Sequence, residues 1–244
     1  MATQALGRAR LSSERLFFTS IGLAVLAAML VGFAPSYFLR GVIAPPHPFE
    51  PLTPLVHVHA LVFSSWVLLF VAQTSLVAAG RVDLHRKLGL VGVGLIALMI
   101  PLAIVVGIYG IGRPLTAAPG VDPRSWAALP LLDAPVFGGL IVAALLNRRR
   151  PQVHKRLMLI AMIDMLQPTL GRALSWTELP PASITVVMMV FLGLLIAWDV
   201  RSLGRVSRPT LWGGALVMTR VMLTPIIWTT PAWMNFTGWL YSLT

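Results

Sequence analysis

The chain has no cysteine, which excludes disulfides, thiolate metal centres, iron–sulfur clusters and covalently attached haem; any metal ligand must be nitrogen, oxygen or thioether. Charge is scarce. Only 11% of the 244 residues are Asp, Glu, Lys or Arg, against about 25% in soluble domains. Carboxylates are scarcer still, eight against 19 Lys and Arg, too few for a carboxylate-bridged di-iron cage. The strict polar and apolar alternation of a membrane β-barrel is missing. No phosphate-binding loop, nucleophile elbow or HExxH zinc motif occurs, and the last two apolar runs hold no lysine for a retinal Schiff base.

What fills the chain is apolar: 57% of residues are hydrophobic, and they fall in runs near the roughly 20 residues that cross a hydrocarbon core. Backbone amides find no water in lipid, so these runs have to be helices. Seven spans are expected, at about 16–39, 55–79, 88–111, 131–146, 157–176, 184–200 and 211–228. The fold class is all-α, a polytopic membrane helix bundle forming a single transmembrane domain over 1–244. Its core four-helix unit covers about 55–176, with additional helices at 16–39, 184–200 and 211–228. The first run is too long for a signal-peptide core and lacks a cleavage site, which predicts a retained span.

A formal charge of +11 would suggest nucleic acid in a soluble protein, but here the basic residues cluster in short connections between apolar runs. The clusters alternate. The amino-terminal segment and the connections 80–87, 147–156 and 201–209 hold fourteen of the 19 Lys and Arg. By the positive-inside rule these face the cytoplasm, with the amino terminus inside a bacterial inner membrane. The opposite connections carry Arg40, Arg113, Arg124 and the proline-rich Pro45-Pro46-His47-Pro48. The expected partners are the bilayer, anionic headgroups at the basic loops, and a membrane-complex partner or second copy, not nucleic acid. The tail 229–244, with Trp233, Trp239 and Tyr241, is expected outside or along the interface.

Two of the basic connections echo one another: Arg81-Val-Asp-Leu-His85-Arg-Lys-Leu88 and Arg150-Pro-Gln-Val-His154-Lys-Arg-Leu157, both R-x-x-x-H-(R/K)-(K/R)-L. Each joins a descending span to an ascending one, as an internal repeat of two hairpins in spans two to five would. His85 and His154 thus enter neighbouring helices from the same side. Facing imidazoles on different helices are how a b-type haem is held, and we take these two as axial-ligand candidates with Arg81, Arg86 and Arg156 at the propionates. The competing reading is a basic interface for lipid phosphates at helix amino termini.

At the other end of span two, His57 and His59 lie about 200° apart around a helix and cannot share one metal. His59, Trp66 and Gln73 recur every seven residues, marking His59 as the inward member, with Arg172 as its companion at an outer site. Counting inward from span ends gives two polar layers. Gln73, Asp164 and Arg220 fall roughly 9 to 14 Å from the basic side, Asp164 and Arg220 as a buried ion pair with Gln167 one turn away. Asp133, Arg172 and one of His57 and His59 form the outer layer. Such layers serve a proton path, a substrate or quinone pocket, or helix register. Pro101, Pro168 and Pro225 imply kinks within spans.

The run His57-Val-His59-Ala, Gln73, Leu84-His85-Arg86-Lys87-Leu88-Gly89, His154-Lys155-Arg156-Leu157-Met158 and Arg172 resembles uncharacterised bacterial multi-histidine membrane proteins of the domain-of-unknown-function type, with HR-x-x-G and HR-x-M loops. The resemblance spans about 55–176. More distantly, paired histidines in a four-helix core are similar to cytochrome b561 and related ferric reductases, which implies transmembrane electron transfer. Two haems would need four helix-borne ligands, and spans three to seven supply no outer histidine to partner His59, so at most one haem is expected. A similar likeness to haem-oxidase assembly proteins implies an assembly role. The sequence therefore points to a redox or cofactor-handling protein taking one haem b or a quinone. A transporter or assembly factor built on the polar layers is the alternative.

Overall fold

A computed structural model describes residues 2–44, 47–117, 120–177 and 179–244, with side chains from residue 13 onward. Pro45 and Pro46 of the proline-rich connection, and the side chains of Arg8 and Arg10, lie outside that set. Among the described residues there are ten α-helices and no strand: α1 (Ala2–Gly32), α2 (Pro54–Ala78), α3 (Val82–Ile111), α4 (Pro123–Trp126), α5 (Ala128–Leu146), α6 (Pro151–Asp164), α7 (Leu166–Leu174), α8 (Ala182–Leu203), α9 (Arg208–Ile227) and α10 (Pro231–Tyr241). Seven segments are long and apolar enough to cross a membrane, with α4 and α5 joined in one and α6 and α7 in another. The chain is an all-α, multi-pass membrane bundle.

Helix ends follow local chemistry rather than hydropathy. The third span starts at Val82, six residues ahead of its apolar run, because Gly80 takes the left-handed conformation (φ 76°) and lets the chain turn before a polar first turn. α6 starts at Pro151, at the position where a missing N–H costs nothing. The fifth span, expected as one helix, breaks after Asp164. Pro168 has no N–H to give the Asp164 carbonyl and its ring crowds that carbonyl, so α6 stops and α7 restarts at Leu166. Pro101 and Pro225, in contrast, lie inside single helices α3 and α9. The tail forms α10, capped by Thr230, whose Oγ1 accepts from the Trp233 N–H at 3.2 Å.

The core sits around α6. All its residues from Arg156 to Asp164 except Met158 are buried, under α1, α5, α8 and α9. The outer helices show the reverse pattern: Leu61 is 69% exposed, Leu90 74% and Leu98 57%, a surface that lipid covers. α1 meets α7 at Gly32, where a Cβ would fall 2.5 Å from the Thr169 carbonyl oxygen; only glycine allows this approach.

Candidate cofactor and charge sites

Four polar groupings stand in this frame, two towards the basic end, one in the middle and one at the opposite end.

The repeated motif takes the same local position twice. Arg81 and Arg150 are the residues that cap α3 and α6, and the His85 and His154 N–H groups donate to their carbonyls at 3.1 and 3.0 Å. The two hairpins, α2 with α3 and α5 with α6, bring the imidazoles together, ring centroids 6.4 Å apart and planes 82° to one another. His154 Nδ1 lies 2.9 Å from the Ala144 carbonyl oxygen, one of the last four of α5 that lack a helical donor. A carbonyl only accepts, so Nδ1 carries the hydrogen and, in the neutral ring, Nε2 keeps its lone pair for a ligand. His85 Nδ1 is buried without a partner, as is Gln73 Oε1 on the facing stretch of α2. Arg81 is exposed and drawn to Asp83 at 3.6 Å, while Arg86 stands exposed next to His85 in the chain.

Arg156 does not join this pair. It lies two residues past His154, about 200° around α6. Its guanidinium, 1% exposed, binds Asp199 Oδ1 of α8 through Nε at 2.7 Å and Nη2 at 2.6 Å. Asp199 Oδ2 in turn accepts from Thr210 Oγ1 at 2.7 Å and the Ser207 N–H at 2.9 Å, tying α6, α8 and the start of α9. The expectation of Arg156 at a propionate is therefore corrected. Sequence reasoning missed Asp199, although it is the sole acid of span six and lies as near its basic end as Arg156 does to that of span five.

In the middle, Arg220 of α9 bonds Asp164 through Nη2, as the sequence predicts. The same nitrogen lies 2.9 Å from Asp133 Oδ1 of α5. Asp133 thus belongs to this centre and not to an outer layer. Span-by-span depth counting separated the two acids, and the long arginine stem bridges the difference. Asp164 is fully buried and its carboxyl also meets that of Asp133, while Arg220 Nε and Nη1 have no hydrogen-bond partner. Gln167 is buried nearby on α7, and no hydrogen bond joins it to the centre.

At the opposite end, His57 is exposed and its Nδ1 lies 3.0 Å from the Tyr37 hydroxyl. His59 turns inward and stacks on Phe63, one turn on, with ring centroids 4.1 Å apart; its Nδ1 is buried without a partner. Trp66, next on the stripe, is 3% exposed and meets Phe137 of α5 edge-on at 6.0 Å. Arg172, in the last turn of α7, lies close enough to His59 for its charge to act on the ring. The other cations of this end are engaged, Arg113 with Glu50 at 3.3 Å and Arg40 with the Phe49 and Glu50 carbonyls. Tyr37 and the Ala144 carbonyl left no sequence signal, because a pairing partner on another helix has no fixed spacing.

Among the described residues no group of three or more His, Cys, Asp and Glu could hold a metal ion by itself. Comparison with family models, curated proteins and solved structures found no match for this chain.

Proposed function

We propose that this chain is a redox protein of a bacterial inner membrane, amino terminus inside, that holds one b-type haem between His85 and His154. A single observation carries the reading: the two imidazole centroids are 6.4 Å apart. Two rings that share one iron, each with a metal–nitrogen bond of about 2 Å, stand roughly 6 Å apart between centroids. The donor set suits such a group, two imidazole nitrogens on separate helices. The Ala144 carbonyl does for His154 what an outer-shell acceptor does for a metal-bound histidine, fixing the tautomer and the ring. When bound, the haem supplies one-electron transfer; Arg86 and Arg81 are the cations at hand for its propionates.

A quinone is the second occupant the same pair suits, favoured by the buried and unpartnered His85 Nδ1 and Gln73 Oε1, polar groups that a polar ligand here would satisfy. Extraction separates the two. Protein purified from cells replete in both cofactors is expected to release about one haem per chain, measured as the pyridine complex, and His85→Ala and His154→Ala are expected to release none. Quinone in place of haem, lost in the same variants, moves the assignment to the second occupant. Neither cofactor in the wild-type extract removes the proposal.

A further inference from the structure

Four arginines lie in the membrane-crossing segments of α6, α7 and α9; Arg208 is exposed at the start of α9, and two of the other three are neutralised. Arg156 has Asp199, and Arg220 has Asp164 and Asp133. Arg172 differs. It is partly buried, yet among the described residues it makes no side-chain hydrogen bond and no ion pair. The negative end of the α7 dipole compensates only part of a full charge. An unpaired cation inside a membrane bundle is costly and marks a binding position by default.

The surroundings supply donors. His59 Nδ1, beside Arg172, is buried without a partner. The same end of the bundle carries Ser36 Oγ, Thr53 Oγ1 and Thr177 Oγ1, each also buried and unpartnered. The carboxylates described at this end have cations of their own, Glu50 with Arg113 and Asp122 with Arg124. A guanidinium fork beside a ring nitrogen, with free hydroxyls at the same end of the bundle, offers more donors than the two oxygens of a carboxylate can use; a phosphate fits better.

We propose that Arg172, assisted by His59, binds a phosphate group that enters from the end of the bundle opposite the basic loops. The phosphate comes either with a small solute or with a lipid headgroup of that leaflet. This site is separate from the His85–His154 pair, and its test does not depend on any cofactor there.

The full chain is purified in dodecyl maltoside micelles, which carry no phosphate, and its melting temperature followed against inorganic phosphate at constant ionic strength; a second set of micelles contains phosphatidylglycerol. A ligand that binds only the folded state raises the melting temperature by mass action. One of the two probes is expected to raise it for wild type, phosphate assigning a solute and phosphatidylglycerol a headgroup. Arg172→Gln is expected to lose the rise and to be at least as stable as wild type without the probe, since it removes an unpaired charge. His59→Phe, which keeps the stack on Phe63, is expected to weaken the probe's apparent affinity by about tenfold. The proposal is overturned if neither probe shifts wild type, if the rise persists in Arg172→Gln or is undiminished in His59→Phe, or if Arg172→Gln alone is less stable than wild type.

Discussion

The charge centre of α5, α6 and α9 predicts an unequal set of mutational costs. Arg220→Gln strips the shared cation from two carboxylates, one of them fully buried. Removing one partner of a buried pair costs about 3–5 kcal/mol, and a charge stranded in the middle of a membrane helix about 2.5–3.5 kcal/mol. The two ranges overlap at about 3–3.5 kcal/mol, which is the loss expected. Asp164→Asn strands less, because Arg220 keeps Asp133 at 2.9 Å; about 1–2 kcal/mol follows. Asp133→Asn should cost least, its side chain being 22% exposed. In Arg220→Gln with Asp164→Asn neither the cation nor its principal acid remains, and the double variant should fall short of the sum of the singles by about 2 kcal/mol. Equilibrium unfolding in mixed micelles, titrated with denaturing detergent, gives the four free energies. Additivity within about 0.5 kcal/mol would refute the reasoning. So would Asp133→Asn costing more than Arg220→Gln.

Further consequences follow from the packing. Arg156→Ala and Asp199→Asn each break a buried pair in the α6–α8–α9 network and should destabilise by about 3–5 kcal/mol in the same unfolding assay, with the other pair intact. Gly32→Val drives a side chain into the Thr169 carbonyl and should cost about 1–3 kcal/mol, with crosslinking between engineered cysteines on α1 and α7 showing the helices forced apart. Thr230→Ala removes the cap of α10 and should cost about 1 kcal/mol, seen as faster hydrogen exchange confined to the first turn of that helix.

The number of spans was legible because the bilayer imposes one length on every crossing helix. Where the helices begin was not. Val82 and Pro151 open helices in polar sequence, where a left-handed glycine and a proline at the first position decide, and hydropathy responds to neither. The amphipathic tail helix α10 is too short to register as a span. His85 and His154 could be read as a pair because one motif places each four residues after a capping arginine. Arg156 was assigned by the same motif to the wrong side, although the turn geometry that separated His57 from His59 also separates Arg156 from His154. Asp164 with Arg220 came from depth alone. Asp133 did not, because counting along separate spans treats side chains as points, whereas an arginine reaches across about a helical turn.

The reduced-minus-oxidised visible spectrum of the detergent-purified protein, with dithionite as reductant, tests the His85–His154 assignment most directly. A Soret band and a sharp α band are expected in wild type, both absent from His85→Ala and His154→Ala and both retained in Arg220→Gln. A spectrum without haem features from haem-replete cells, or bands that survive both histidine replacements, would contradict it.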